Sequence, residues 1–293
     1  MNGWLNIYKP VGISSARAVA YVKKVFKNCK VGHTGTLDLE AQGVLPVALG
    51  EATKLTGVLI DAKKQYKFII KFGAKTDTAD SAGTVMQRVD YIPTGPESIN
   101  ICDRFIGEIK QMPPAYSALK INGRRAYDLA RAGREVILKE RNIFIYSLEC
   151  IDYSAEDGTA SYICECSKGT YIRTLAEDIS LALQSLGYVI ELCRLKVGMF
   201  DVKDSVDVSS FTADTKEAEM LLKNNCLRVE SILDDIPVLE ASDLQVQQIR
   251  FGRPCRFEDA ADLEFVWIRN EGNIIAIGSL HSNDFKSSRV FNL

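Results

Sequence analysis

The part of the chain best suited to chemistry is a glycine- and threonine-rich loop that ends in an acidic side chain, Asp38. A histidine, His33, lies in the same loop, and two tyrosines in strand-like segments, Tyr66 and Tyr171, and an arginine, Arg173, complete the candidates. A positioned carboxylate can act as a nucleophile or as a general base. Each residue also has an ordinary structural interpretation, because aspartates favour turns, tyrosines favour strands and arginines favour surfaces.

The sequence lacks the common motifs for nucleotide binding, serine-nucleophile catalysis and metal binding. The sequence has no phosphate-binding loop, no dinucleotide-binding glycine fingerprint and no serine-nucleophile elbow. Its histidines are His33 and His281, and its eight cysteines are scattered without a C-x-x-C pair. A structural zinc site needs about four nitrogen or sulfur ligands at recognisable spacings. We therefore expect no metal and no cofactor, and we interpret the cysteines as small buried hydrophobic residues in a reducing compartment.

Composition and charge are those of an ordinary globular protein. The chain has 293 residues, of which 46% are hydrophobic and 25% charged, and a net charge of -2. No apolar run approaches the ~20 residues of a membrane span and no secretory signal is visible, so we expect a cytoplasmic protein without a membrane partner. Residues 108–141 carry eight Lys and Arg against four Asp and Glu, whereas residues 201–236 carry four against nine. The basic stretch is a candidate contact for nucleic acid, because the distribution of charge matters more than its total.

Strands and helices follow one another without a regular alternation, which favours an α+β fold over a doubly wound parallel sheet. The loop with Asp38 lies between a helix that Ser14 or Ser15 caps and an apolar strand over residues 43–50. Residues 66–72 alternate as a strand whose apolar face includes Tyr66.

A helix is predicted directly after Arg173. Thr174 and Glu177 have the spacing of a capping box, and Gly187 is placed to end the helix. Apolar residues recur along it at helical spacing.

The chain divides into a large body and a small C-terminal unit. From residue 237 onward, short strands separated by turn residues predict a small β-barrel over residues 237–293, which follows a main body over residues 1–236. The basic stretch at about 108–141 contains Pro113-Pro114 and two glycines, which favours an insertion lying over the surface of that body.

Blocks of sequence, in order, resemble a known family. The loop Gly32–Asp38 with the following Gly43–Pro46 is similar to the catalytic motif of the bacterial tRNA pseudouridine-55 synthases, the TruB family. Further similar blocks are Lys9–Ser15, Tyr66–Asp80, Pro114–Tyr127, Ser167–Thr174 and Leu192–Leu195. The chain departs from the family at Leu39, where proline is usual, and at Cys193, where arginine is common.

The resemblance implies a pseudouridine synthase fold with a central, largely antiparallel sheet and a PUA-like C-terminal barrel. It implies conversion of uridine 55 in the T-loop of tRNA to pseudouridine, without a metal or cofactor. Asp38 would be the nucleophile or base after the uridine is flipped out of its loop, and Arg173 would pair with it. Whether Asp38 attacks C1′, attacks C6 or removes a 2′ proton stays open.

The resemblance also implies which residues contact the RNA. The residues implied to form or order the uridine site are His33, Tyr66, Asp80, Tyr171 and Leu192. Tyr66 would stack on the target base, and His33 would fill the space that the flipped base leaves. The insertion at about 108–141 would close as a thumb over the T-stem and loop. Its cations implied to bind phosphate are Lys120, Arg124 and Arg125.

Two other functions stay open. An RNA-guided synthase of the related archaeal and eukaryotic group would need protein partners and a guide RNA, and the block around Pro114 disfavours it. A non-catalytic RNA-binding or RNA-folding protein could keep the fold, and help in RNA folding could accompany catalysis. A metal- or nucleotide-dependent enzyme is more distant, since the motifs for it are missing. We expect a monomer that acts on tRNA without an obligatory protein partner.

Overall fold

The computed structural model describes residues 1–117, 119–121, 123–131, 134, 136, 138–207, 216–258 and 260–293. Its α-helices are α1 (Ser15–Val25), α2 (Thr56–Asp61), α3 (Gly95–Asn100), α4 (Ala126–Arg131), α5 (Ile172–Ala182), α6 (Lys216–Asn224) and α7 (Asp243–Arg250). Short 3₁₀ helices are Gly50–Leu55, Cys102–Phe105, Val202–Asp204 and Val229–Leu233. None of the helices in these ranges is long and apolar enough to cross a membrane.

The strands fall into two large sheets and two short hairpins. The strands of the first part of the chain are β1 (Gly3–Lys9), β2 (Val31–His33), β3 (Ala41–Leu49), β4 (Lys64–Phe72), β5 (Ala74–Thr76), β6 (Val85–Arg88), β7 (Gly107–Gln111), β8 (Lys120–Ile121) and β9 (Arg124–Arg125). Those of the second part are β10 (Arg141–Ser154), β11 (Thr159–Cys166), β12 (Gly187–Val197), β13 (Phe200–Asp201), β14 (Val206–Asp207), β15 (Val238–Glu240), β16 (Cys255–Arg256), β17 (Leu263–Asn270), β18 (Asn273–His281) and β19 (Asp284–Val290).

The main sheet is central and largely antiparallel, as predicted. Its strand order is β14-β1-β3-β12-β4-β11-β10-β7, with β2 added to β3 and β13 to β12. The parallel pairings are β1 with β14 and β3 with β12. Because β12 lies between β3 and β4, it brings residues from the end of the body next to the loop with Asp38 and next to Tyr66.

Helix α5 packs on the face of the sheet that carries the predicted apolar side of β4. Phe68, Ile70 and Phe72 are buried there, and the rings of Phe68 and Tyr162 stack at 5.4 Å between centroids. The side chains that α5 contributes to this core are Ile172, Leu175, Ala176 and Ile179. Period-two alternation in the strands and helical spacing in α5 therefore place the main apolar core.

The predicted ends of this helix were wrong. Helix α5 begins at Ile172 with Tyr171 as its N-cap, so Thr174 lies inside the first turn and caps nothing. The helix ends at Ala182, and Gln184 takes the left-handed conformation with φ 58°. Gly187 instead begins β12, where a Cβ atom would lie 2.2 Å from Ser180 Oγ. This glycine is needed for close packing of the strand on the helix rather than for ending the helix.

Between Gln111 and Arg141 the chain makes an excursion from one edge of the main sheet, of which the structure describes residues 112–117, 119–121, 123–131, 134, 136 and 138–140. Strands β7 and β10 pair directly, with Gln111 opposite Arg141. The chain between them therefore leaves and re-enters the sheet at neighbouring positions. Within it, the described residues include the hairpin of β8 with β9 and helix α4.

The C-terminal sheet has the order β15-β17-β18-β19-β16, with β15 and β16 at its edges. Helix α7 covers part of it through Val246 and Ile249. Trp267 of β17 and Phe291, which follows β19, belong to one buried apolar cluster with Trp4 of the main sheet. The small C-terminal β-unit is therefore attached to the body through buried apolar side chains.

Candidate active site

The loop with Asp38 connects β2 to β3 and is fixed on both sides of the carboxylate. Before it, the Leu37 N–H donates to Ser15 Oγ at 2.9 Å, and the same hydroxyl donates to the Leu37 carbonyl at 3.1 Å. After it, the Leu39 carbonyl accepts from the Gly12 N–H at 2.9 Å. Ser14 is the N-cap of α1, whereas Ser15, buried as the first residue of the helix, bonds to the backbone of the loop. Asp38 is held at a defined place with 44% of its side chain exposed.

Arg173 is the partner of this carboxylate. Its Nη2 lies 2.9 Å from Asp38 Oδ2, and its side chain is only 6% exposed. The guanidinium also donates to the carbonyls of Thr78 and Tyr116, each at 3.0 Å. Charge-assisted hydrogen bonds of this kind orient both partners. The first turn of α5 therefore aims one cation at the loop carboxylate and ties it to two further segments.

An open pocket lies on one side of Asp38. It has a volume of about 450 Å³, and its walls include Tyr66, Tyr171 and Leu192. Leu192 of β12 is paired with Ala41 of β3 and with Phe68 of β4, which places it at the pocket floor beside the loop. Two half-buried rings and one aliphatic side chain around a carboxylate form a site for a flat, partly apolar group.

The phenols of this pocket are held neutral. Burial raises the pKa of Tyr66, and the guanidinium of Arg194 offsets part of the rise. Burial also raises the pKa of Tyr171. Both hydroxyls therefore keep their protons at neutral pH and can donate hydrogen bonds.

A larger groove, with about 1410 Å³ of empty space counted out to the open solvent, also borders Asp38. Its walls include His33, Asp80, Tyr116 and Tyr127, so it runs between the loop and the excursion from the sheet edge. Burial lowers the pKa of His33, and the charge of Arg194 lowers it further. His33 Nδ1 is buried without a hydrogen-bond partner among the described residues. The imidazole is thus a neutral side chain with an unused polar atom, in the wall of a groove that Asp38 also borders.

Asp80 organises the loop that follows β5. Its Oδ1 accepts from Thr78 Oγ1 at 2.6 Å and from the Ala82 N–H at 3.1 Å. Its Oδ2 lies 3.8 Å from Arg173 Nη1. Asp80 therefore fixes the Thr78 carbonyl that Arg173 uses, and it adds a second carboxylate to that guanidinium.

Of the three predicted phosphate-binding cations, Arg124 is exposed on β9. The side chains of Lys120 and Arg125 lie outside the described part of the structure. The remaining predicted site residues, from His33 to Leu192, all border the pocket or the groove described above. Among the described residues, no group of three or more His, Cys, Asp or Glu side chains could hold a metal ion.

Gln111 is a site residue that the sequence did not reveal. It is 2% exposed at the end of β7, where the excursion begins. Its Oε1 accepts from the Tyr171 N–H at 2.8 Å, and its Nε2 donates to the Tyr171 carbonyl at 3.1 Å. This amide supplies the capping bond that α5 does not obtain from a local side chain.

Lys9 and Arg194 were noted in the sequence as parts of similar blocks, without a role. Both are buried, and both donate to backbone carbonyls around the loop with Asp38. A signal existed in each case, because Lys9 follows Ile7 and Tyr8 in its strand and Arg194 lies between Cys193 and Leu195. Such a residue is rarely buried without a specific partner.

Comparison with known proteins gives one family. A family model described as TruB family pseudouridylate synthase (N terminal domain) matches residues 23–172. The tRNA pseudouridine synthase B of Rickettsia bellii (strain OSU 85-389) is 56% identical over 290 residues, covering 99% of this chain and 98% of the relative. That of Rickettsia akari (strain Hartford) is 53% identical over 293 residues, covering 100% and 99%.

Solved structures agree with the fold. A chain from an H/ACA RNP bound to a substrate RNA containing 2′-deoxyuridine is similar with a TM-score of 0.74 and 22% identity, covering 99% of this chain and 85% of that one. A chain from a Cbf5-Nop10-Gar1 complex is similar with a TM-score of 0.74 and 24% identity, covering 99% and 84%. At this identity the likeness concerns the fold alone. It confirms the predicted α+β fold with a central sheet and a small C-terminal β-unit.

Proposed function

The chain belongs to the TruB family of pseudouridylate synthases, and from this premise we propose that it converts uridine 55 in the T-loop of tRNA to pseudouridine. Synthesis of pseudouridine in tRNA is the activity of the protein. The position of the uridine and the roles of individual residues are the proposal. The observation that carries it is the ion pair of Asp38 and Arg173 at the rim of a pocket walled by Tyr66 and Tyr171.

The reaction moves one bond and needs no electron or group donor. The N1–C1′ bond breaks, the uracil turns, and a C5–C1′ bond forms while C5 loses a proton and N1 gains one. Among the described residues that line this pocket, Asp38 is the carboxylate, and the guanidinium 2.9 Å away keeps it oriented as nucleophile or base. The route that Asp38 takes, through C1′, C6 or the 2′ proton, stays open.

The pocket suits a base that must turn without leaving. Tyr66 offers a ring face for stacking, which tolerates rotation of the base because it is not directional. Tyr171 and Leu192 close the remaining sides. A uridine in a folded loop reaches this pocket only after flipping, and His33 borders the groove from which it would come.

The RNA strand would lie in the larger groove. We place the T-stem and loop between the loop with Asp38 and the excursion 112–140, with Arg124 near phosphate. The proposed units are a catalytic domain over residues 1–236 with a thumb at about 108–141, and a PUA-like RNA-binding domain over 237–293. We propose that the protein acts in the cytoplasm as a monomer, without a cofactor or an obligatory protein partner.

Incubation with an unmodified tRNA transcript tests the proposal, with carbodiimide-dependent stops in reverse transcription locating pseudouridine. We expect modification at position 55 by the purified protein alone. Asp38→Asn should abolish it while the Kd for tRNA changes by less than about tenfold, or about 1.4 kcal/mol. The matched control Asp235→Asn removes an exposed carboxylate elsewhere and should leave the rate unchanged. Full turnover by Asp38→Asn would refute the catalytic assignment, and activity only with a guide RNA would favour the RNA-guided alternative.

A further inference from the structure

Three cations lie buried beneath the pocket and the loop with Asp38. Lys9, Lys64 and Arg194 are 0%, 7% and 2% exposed. Backbone carbonyls, rather than carboxylates, hold their head groups. The accepting carbonyls are those of Pro10 and Ile13 for Lys9, Leu59 and Ala62 for Lys64, and Gly35 and Val44 for Arg194. Within the described residues, none of the three has a carboxylate within 4.0 Å.

Burial of charge without an opposite charge is costly, so this arrangement calls for a reason. Burial lowers the pKa of Lys9 to about 8, although the charge of Asp38 acts in the opposite direction, and burial lowers the pKa of Lys64 to about 8. The charge of Arg194 contributes to both reductions. The lysines can therefore lose their protons when the medium is mildly basic. A guanidinium cannot, so Arg194 is the permanent positive charge of the group.

Arg194 lies directly behind the wall of the pocket. It stands opposite Tyr66 in the antiparallel pairing of β12 with β4, where facing side chains are neighbours. Burial raises the pKa of the Tyr66 phenol, and the positive charge of the Arg194 guanidinium acts against that rise. On its other side, Nη2 donates to the Gly35 carbonyl at 3.1 Å, and Nε donates to the Val44 carbonyl at 2.8 Å. The charge is thus fixed between the ring of Tyr66 and the loop that carries Asp38.

We propose that Arg194 is a positioning residue that stabilises, through Tyr66, the negative charge on the uracil once its bond to the ribose has broken. This inference rests on the proposed function. When the N1–C1′ bond breaks, its electron pair stays with the uracil, which becomes an anion. The charge is consumed when C5 bonds to C1′ and loses its proton, while N1 takes one up. The positive charge of the guanidinium draws electron density from the phenol beside it, so the ring of Tyr66 presents a less negative face to the stacked uracil anion. A fixed charge in a dry site acts strongly because it needs no reorganisation.

A purely structural Arg194 would predict something different. In that case its loss would loosen Gly35 and Val44 and slow every substrate equally. An electrostatic Arg194 matters less when the leaving base tolerates negative charge by itself. A fluorine at C5 withdraws electrons and stabilises the uracil anion, so a T-arm hairpin with 5-fluorouridine at the target position separates the two cases.

Single-turnover loss of the N-glycoside is measured on hairpins with uridine or 5-fluorouridine, using the full chain. Arg194→Met should slow the uridine hairpin about 100-fold, as expected for removal of one electrostatic group. The fold reduction in rate that Arg194→Met causes on the 5-fluorouridine hairpin should be at least five times smaller than the reduction on the uridine hairpin. Arg194→Lys keeps the charge and should recover part of the rate. Lys196→Met, an exposed change on the same strand, is the matched control and should leave both rates unchanged.

Equal losses on the two hairpins would overturn the inference. If Arg194→Met does not fold, judged by circular dichroism, Tyr66→Phe decides, because it removes only the hydroxyl through which the charge acts. A larger loss on uridine than on 5-fluorouridine supports the proposal, and equal or no loss refutes it. Failure of the wild-type protein on the uridine hairpin would instead count against the proposed function itself.

Discussion

Replacement of Gln111 by methionine should loosen the pocket without opening a cavity. Methionine has a similar length and volume, but it lacks the amide that binds the backbone of Tyr171. The Tyr171 carbonyl keeps a second donor, because the Leu175 N–H bonds to it at 3.0 Å. The Tyr171 N–H loses its side-chain acceptor. The change therefore removes two hydrogen bonds but orphans one buried donor.

The size of the effect follows from this count. A buried donor left without a partner costs about 1–3 kcal/mol, and loss of a bond to a carbonyl that keeps another donor costs about 0.5–1.5 kcal/mol. We expect Gln111→Met to lower the free energy of unfolding by about 2–4 kcal/mol. Catalysis should suffer as well, since Tyr171 and the start of α5 position the pocket and Arg173. A displacement well below 1 Å in such a site is enough for about a tenfold loss of kcat.

Urea unfolding and single-turnover kinetics on tRNA measure the two effects. Lys110→Met is the matched control, since Lys110 is exposed on the same strand and the same side chain is introduced. Gln111→Glu adds a second test. Its protonated form can both accept from and donate to Tyr171, so its activity relative to wild type should rise as the pH falls. If Gln111→Met has a free energy of unfolding within about 0.5 kcal/mol of wild type and an unchanged kcat, the Gln111 amide does not position Tyr171.

Three further predictions concern other parts of the site. Between pH 7.5 and 9.5 the folded Lys9, with a pKa of about 8, has released its proton while the unfolded chain has kept it, so stability rises with pH. Urea unfolding at pH 7.5 and 9.5 measures this rise in the free energy of unfolding. Lys9→Met should remove about 2 kcal/mol of it and leave the part due to Lys64. An unchanged rise would contradict the lowered pKa of Lys9. Tyr66→Ala should slow turnover about 10- to 100-fold, since stacking on a base contributes about 1–3 kcal/mol; unchanged kinetics would remove Tyr66 from the pocket. His33 should titrate below 6.5 in an NMR titration, because burial lowers its pKa. The free energy of unfolding should then fall as the pH drops from about 6.5, and His33→Asn should reduce that fall. A pKa of His33 at or above 6.5 would disprove the burial argument.

Local patterns in the sequence predicted the elements that carry the site. Alternation predicted the apolar face of β4, and the glycine-rich loop before an apolar strand predicted where Asp38 would lie. The approach of Arg173 to Asp38 could not be derived from spacing, because it depends on how β12 inserts between β3 and β4. For that contact the resemblance to a family supplied the expectation, and the structure supplies the 2.9 Å distance.

The error at the start of α5 has a physical cause. Thr174 and Glu177 have the local spacing of a capping box, but Gln111 binds the Tyr171 N–H and so starts the helix earlier. Thr174 Oγ1 is left buried without a partner among the described residues, and Glu177 pairs with Lys75 at 3.1 Å. A cap supplied from a distant strand leaves no trace at the helix itself. Sequence patterns therefore miss it.

Arg173 shows why the site depends on several distant segments at once. Its guanidinium joins the loop with Asp38, the loop with Thr78 and the excursion through the Tyr116 carbonyl. The helix that carries it starts where Gln111, at the root of the same excursion, holds the backbone. Movement of the excursion on binding RNA would therefore be transmitted to the orientation of Asp38 by two routes. The route through Tyr116 uses a backbone carbonyl, so substitutions there can preserve it as long as the chain path is kept, whereas the route through Gln111 depends on its side-chain amide.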